Sequence, residues 1–392
     1  MAQRGGVLPF AALSASYFAH IGFFNPYLPL WLKDLGFGLL AISVLTSVQS
    51  ATRLFAPYAW GWLSDHTGER VRLLRLGAGV ALLCSIGLWF ELSGPVLFAV
   101  LLLMFTHTSG MMPMSEAVLA QIVSREGRLD IRRYGRVRVW GSVGFLLTVL
   151  AAGAWFQAFG MGSFAAWTTM SLAAVALSTW WLPATREASA SQARAEPVGP
   201  LLRQARVRWF FASVFFHVLA HVFIYVFFSL HLDALGYPKS AIGAFWAVSV
   251  LIEIGWFFTQ GRWMPAFSLP RWLVLAGLLM ALRMAVTASL ASVWPLLALA
   301  QLVHAISFAA HHTVCIAWLS ENFPGRLRAR GQALYAVLGY GLSGVTGGLL
   351  GGLLSSHFGL PSVFWVGSLC GLLAAACALR VAAPTRTSAA KG

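Results

Sequence analysis

Gly61-Trp62-Leu63-Ser64-Asp65-His66-Thr67-Gly68-Glu69-Arg70-Val71-Arg72 is a short polar passage set between two long apolar ones. Residues 39–64 and 71–91 are each long enough to cross roughly 30 Å of hydrocarbon as a helix. The stretch therefore marks where one membrane helix ends in water and the next begins. Gly61 and Gly68 are expected to permit close backbone approach. Asp65 is placed to accept hydrogen bonds at a neighbouring helix N-terminus, with Arg70 or Arg72 balancing its charge. The plainer alternative is a glycine-containing turn with solvated charges.

The same alternation of apolar run and short polar joint continues in both directions. Of 392 residues, 59% are hydrophobic and only 10% charged, and the mean hydropathy is +0.75, whereas about a quarter of an ordinary soluble domain is charged. Helices are predicted near 8–32, 39–64, 71–91, 94–123, 135–158 and 162–183, and again near 206–233, 239–262, 270–291, 294–320, 327–353 and 359–382. The fold class is an all-α polytopic membrane protein with twelve transmembrane helices. The long polar stretch opening at Ala184 reads as a cytoplasmic linker over 184–205. It separates an N-terminal six-helix bundle, 1–183, from a C-terminal six-helix bundle with a short tail, 206–392. The first apolar run is too long for a signal-peptide core.

The net charge of +15 could suggest a nucleic-acid partner, but the positive charges fall in alternate loops. Arg70, Arg72 and Arg75 follow the second run; Arg125, Arg128, Arg132, Arg133, Arg136 and Arg138 the fourth; Arg203, Arg206 and Arg208 close the centre; Arg326, Arg328 and Arg330 follow the tenth. The intervening loops hold only Lys33 and Lys239. Basic loops stay cytoplasmic, so both termini are expected inside the cell, in the inner (plasma) membrane. No face interleaves basic and aromatic residues as nucleic-acid binding requires. Cys84, Cys315, Cys370 and Cys377 lie in apolar runs without paired spacing and read as small packing residues. No Walker motif, metal set or nucleophile set is present, so neither a metal nor a cofactor beyond a proton gradient is expected.

Five titratable side chains stand inside stretches otherwise fit only for lipid: Arg53, Glu116, Glu253, Arg283 and His304. A charge at the bilayer centre costs roughly 2.5 to 3.5 kcal/mol even on a mild scale, so such groups usually face a wet interior and carry traffic. This points to a transporter.

The passage 61–72, with Gly61, Asp65, Gly68 and Arg70, resembles the loop signature of the major facilitator superfamily, and its place between helices 2 and 3 matches. The equivalent loop of the second half, Gly261-Arg262-Trp263-Met264-Pro265, keeps a glycine and a base but has lost the acid. Pro113-Met114-Ser115-Glu116-Ala117 and the run from Tyr134 to Phe145 resemble the helix 4 and helix 5 signatures of the lactose permease group, and more closely its phenylpropionate-permease branch. The resemblance implies two six-helix bundles related by pseudo-twofold symmetry, with alternating access to a site between them. It implies that Glu116 and Arg138 hold the substrate while Phe145 stacks on it. Seven residues, two helical turns, put Arg138 and Phe145 on one face. It also implies that Glu253, Arg283 and His304 couple solute to proton. One departure stands out: the carboxylate that follows the histidine by a turn in lactose permease is Ser307 here. Glu253, His304 and the pair His311-His312 become the candidates for the proton-carrying group.

Each of these residues has a plainer alternative. Glu116 and Glu253 could form structural ion pairs, Arg283 could only hold an acid, and Arg53 could pair with a buried acid instead of clamping a carboxylate by two parallel hydrogen bonds. His304 could be packing. His20, His107, His217, His221 and His311 are expected to be structural. Trp31, Trp180, Trp181, Trp209 and Trp294 are expected as interfacial anchors. The expected function is proton-coupled symport of a small organic solute, an aryl carboxylate such as phenylpropionate or a sugar, by a monomer whose partners are solute, proton and lipid. Proton-driven efflux is the alternative; a non-transporting sensor or a membrane enzyme would belong to another class.

Overall fold

The computed structural model describes residues 7–125, 128–129, 131–183, 199–323 and 327–382. Most of the linker, 184–198, lies outside the described residues. Among the described residues twelve long helical stretches follow one another, besides a few short turns such as Gly199–Leu202. In the first half they are α1 (Leu8–Asp34), α2 (Leu39–Thr52, resuming as Ala56–Thr67), α3 (Arg70–Ile86), α4 (Gly94–Thr108, resuming as Met111–Val123), α5 (Ile131–Phe159) and α6 (Phe164–Trp180). In the second half come α7 (Ala205–Ala234), α8 (Lys239–Trp263), α9 (Leu269–Ser289), α10 (Trp294–Leu302, Ala305–Ala310 and His311–Asn322), α11 (Leu327–Leu334, Tyr335–Leu342 and Ser343–Phe358) and α12 (Leu360–Ala382). Eleven of them are long and apolar enough to cross a membrane, and α1 has 27 residues. Ser124–Arg125 pairs antiparallel with Arg128–Leu129.

Proline and glycine set the punctuation. Pro95, Pro270 and Pro295 stand in the first turn of their helices, where a missing N–H costs nothing. Pro57 has no N–H to offer the carbonyl of Arg53, and α2 breaks there, over Arg53–Phe55. Glycines reveal a repeat of about 200 residues that side chains have mostly lost. After α1, Gly36 has φ +85° and after α7, Gly236 has φ +84°. Phe37 N donates to Leu32 O at 3.1 Å and Tyr237 N to Leu232 O at 3.0 Å, the six-to-one closure of a left-handed helix stop. No atom would meet a Cβ at Gly36 or Gly236, so the backbone angle alone requires glycine there.

By internal contact the chain forms two compact units, Met1–Gln192 with Tyr225–Val250, and Ala193–Ile224 with Leu251–Gly392. In the first, α1 lies tightly along α5: a Cβ on Gly22 would sit 2.6 Å from the Phe145 carbonyl oxygen, and one on Gly144 would strike the backbone of Ala15. The second unit repeats the arrangement with α7 against α11, where a Cβ on Gly347 would meet Val222 at 2.7 Å. Gly144→Val is therefore expected to destabilise the protein by about 1–3 kcal/mol, since a backbone neighbour cannot yield. Gly79, where a Cβ would meet open space, provides the control: Gly79→Ala, inside a helix, should not lower the thermal unfolding midpoint in detergent.

The first unit buries Phe23, Phe24, Tyr27 and Phe164 completely. Trp31 does not serve as the interfacial anchor expected of it: it is buried and stacks on Phe164 at 4.8 Å, because α1 is covered on most of its circumference. Trp180, Trp181, Trp209 and Trp294 are exposed at helix ends. At the loop ends of α1 and α7, Lys33 Nζ donates to Asp233 Oδ2 at 2.7 Å, and Lys239 Nζ stands 4.0 Å from Asp233 Oδ1. The two basic residues assigned to the sparsely charged side thus share one acid.

Candidate functional site

In the second unit the three residues singled out on α8, α9 and α10 converge. Arg283 is 2% exposed and His304 6%. Arg283 Nη1 lies 3.0 Å from His304 Nδ1, and Arg283 Nη2 donates to Gln301 Oε1 at 2.8 Å. His304 Nε2 lies 3.3 Å from Glu253 Oε2. A guanidinium can only donate, so Nδ1 of His304 must accept, and the ring hydrogen is assigned to Nε2, directed at the carboxylate. His304 is thereby a neutral imidazole of fixed tautomer, a bridge between a permanent cation and an acid.

The local fold of α10 explains the alignment. Ala305–Ala310 is a π-helical segment, whose turns close i→i+5. In an α-helix four residues overshoot the 3.6-residue turn; in the wider turn they nearly complete it. Rings four residues apart consequently lie face over face: His304 on Phe308 at 4.8 Å and 6°, Phe308 on His312 at 6.5 Å and 13°. His312 Nδ1 is 3.3 Å from the Tyr335 hydroxyl on α11, where Tyr335–Leu342 is a second π segment.

Gln301 went unnoticed in the sequence. It is 1% exposed and stands three residues before His304, hence on the same face of α10. A lone amide in an apolar span was the available signal.

In the first unit, α4 and α5 bring Glu116 and Arg138 together: Arg138 Nη1 donates to Glu116 Oε1. Neither is sealed, their side chains being 32% and 45% exposed, so the pair can be reached. Phe145, two turns further along α5, is half-buried. Arg53 sits at the break of α2, half-buried, its charge facing Tyr17 of α1. On α1, Phe24 and Tyr27 belong to the core, the Tyr27 hydroxyl donating to the carbonyls of Val149 and Lys239.

The loop after α2 keeps the expected partners with one correction. Arg70 Nη2 donates to Asp65 Oδ1 at 2.9 Å and its Nε to Ser64 Oγ at 3.1 Å, while Arg72 pairs with Glu69. Gly68 stops the helix with φ +67°, a conformation that favours glycine. Gly61, expected at a close backbone approach, faces open space instead; it lies on an outward side of the helix.

Comparison with known proteins agrees with this architecture. The family model described as "MFS_1 like family" matches residues 13–366. The chain is 26% identical over 360 residues to a protein described as "Probable 3-phenylpropionic acid transporter" of Escherichia coli (strain K12), covering 91% of this chain and 93% of that one. It is 27% identical over 353 residues to "Maltose permease" of Geobacillus stearothermophilus, covering 89% and 87%. Among solved structures, that of the nucleoside transporter NupG superposes with a TM-score of 0.78 at 15% identity, over 96% of this chain and 98% of that one. That of a D-xylose-proton symporter superposes with a TM-score of 0.68 at 13% identity, over 94% and 96%. At these identities the structures speak for the fold alone. With eleven membrane-length apolar helices among the described residues, the repeated helix stops and the family model spanning residues 13–366, the chain belongs to the MFS_1-like family, a multi-pass membrane transporter of the major facilitator type and not an enzyme.

Proposed function

We propose that this transporter is a proton-coupled symporter that imports a small organic solute by alternating access. The observation that carries the reading is the bridge Arg283–His304–Glu253, whose arginine and histidine are buried and whose carboxylate is part-exposed. A carboxylate linked through an orientable imidazole to a fixed cation changes its hold on a proton whenever a conformational step moves one of the three. Coupling follows if solute and proton each favour the transition that the other also needs. Solute recognition is assigned to Glu116 and Arg138 with Phe145, and to Arg53. The solute class is an aryl carboxylate such as phenylpropionate or a sugar, in keeping with the names of the two relatives. The aryl carboxylate is preferred, because an arginine can grip its carboxylate by two parallel bonds and a phenylalanine can cover its ring. We take the carrier to act as a monomer in the plasma membrane, both termini cytoplasmic, with no cofactor beyond the proton gradient; the arginine-rich alternate loops support that orientation.

The test is a screen of sugars, nucleosides and aryl carboxylates with purified protein in vesicles, reading internal pH. Solute-dependent acidification identifies cargo and coupling together; solute uptake with no proton movement rejects symport. Arg138→Lys is expected to weaken solute binding about tenfold or more, because a point charge cannot reproduce the planar fork. Unchanged affinity in that variant removes Arg138 from recognition.

A further inference from the structure

Helix α7 carries His217 and His221, one turn apart in an otherwise apolar span, and the coupling scheme above uses neither. Both are buried, 2% and 4% exposed. His217 Nε2 lies 2.6 Å from the carbonyl oxygen of Ser307. A carbonyl only accepts, so Nε2 carries the hydrogen, and in the neutral imidazole the lone pair falls on Nδ1. That lone pair meets no hydrogen-bond partner among the described residues. Leaving such an atom buried without a partner is unfavourable, and a proton can add to it without breaking any existing bond. His304 differs in this respect: its Nδ1 is held by Arg283, so a second proton there must displace the guanidinium.

The surroundings fit a single added charge. The His311 ring lies parallel to His217 at 3.7 Å and 11°, a face against which an imidazolium is stabilised as a cation over a π system. Two imidazoliums at that distance would repel strongly in a low dielectric, so the stacked pair takes one proton, not two. Behind His311 stands Cys315, its Sγ 3.6 Å from Nε2. On α7 itself His221 stacks at 5.4 Å, and it lies 5.8 Å from His304, beyond which come Arg283 and Glu253. On the other side His312 leads to Tyr335 of α11. The carbonyl that anchors His217 belongs to the π segment of α10, at Ser307, where the carboxylate of the lactose permease pattern is missing. The Ser307 hydroxyl is itself buried with no partner among the described residues.

We propose that His217 is a proton-binding residue of this carrier, taking up and releasing a proton at Nδ1 against the face of His311 while its Nε2–H stays bonded to the Ser307 carbonyl. The proposal rests on the symport reading and names a proton site within it.

Protein labelled with 15N-histidine gives a direct test, the His217 signals being identified by their loss in His217→Gln. On acidification from about pH 8 to about pH 5, Nδ1 of His217 is expected to change from unprotonated to protonated with Nε2 protonated throughout. An Nδ1 that stays unprotonated over the range in which the protein remains folded overturns the proposal. The second measurement uses vesicles with 3-phenylpropionate as probe and an imposed proton gradient. Glutamine can still donate to the Ser307 carbonyl but cannot take the proton, so His217→Gln should exchange the probe across the membrane yet lose about tenfold or more of its uphill accumulation. Wild-type accumulation in that variant overturns the proposal. His217→Phe keeps a ring against His311 without the nitrogens; if it fails while His217→Gln accumulates normally, the role lies in packing and the proposal is wrong. Should the wild type move no proton with the probe, the symport reading is what fails for that solute, and the nitrogen titration still decides whether His217 binds a proton.

Discussion

Replacing Arg283 with Met is expected to cost about 3–5 kcal/mol of stability, the range for removing one member of a buried charged set and stranding the others. Met matches the length of the side chain but donates nothing. Gln301 Oε1 and His304 Nδ1 both lose the donor they now share, and with Arg283 only 2% exposed water is poorly placed to replace it. Once Nδ1 is released, the His304 tautomer is no longer fixed and its N–H need not point at Glu253. The measurement is thermal unfolding of the purified variant in detergent, with Arg283→Lys beside it. Lysine keeps the charge but not the planar fork that serves two acceptors at once, so its midpoint should fall between those of Met and wild type. A Met variant that melts with the wild type would show that the guanidinium is dispensable to the packing of α9 and α10.

Glu253→Gln should abolish accumulation against a gradient while leaving exchange of solute between the two sides intact. The substitution is mild in shape, because the amide oxygen can accept from His304 Nε2 as the carboxylate does now. Only the exchangeable proton and the charge are lost. Without them the return step no longer depends on proton loading, so the internal solute should rise no higher than the external concentration. Internal and external label, followed with and without a pH difference, distinguish the two outcomes. Full accumulation in this variant would remove Glu253 from the proton path and leave the histidines as the remaining candidates.

The helices were legible because lipid demands long apolar runs and water demands charge at their ends, so both the count and the joints were written in composition. Even the breaks of α2 and α4 occur within runs read as single spans, since a break inside protein leaves hydropathy unchanged. Candidate residues stood out where an ionisable side chain offended the apolar background, and in the fold Glu253, Arg283 and His304 lie in contact, as do Glu116 and Arg138. Partnership was harder to see. Gln301 carries no charge, and His217 and His221 looked like packing because the residues they approach are some 80 to 90 positions away. Their proximity depends on the π segment of α10, and hydrophobic periodicity does not announce a turn with one residue too many. Trp31 failed as an anchor for a related reason: a tryptophan near a span end is ambiguous until the neighbouring helix, here α6 with Phe164, is in place.

The widened turns of α10 and α11 also bear on motion. A surplus residue can be passed along a helix like a dislocation in a crystal row, leaving the ends where they were while the stretch it crosses swivels by about 100°. In α10 that stretch includes Ser307 and Phe308, so a slip of one turn would re-aim the carbonyl beneath His217 and the ring between His304 and His312, and would do so without lengthening, bending or unwinding the helix.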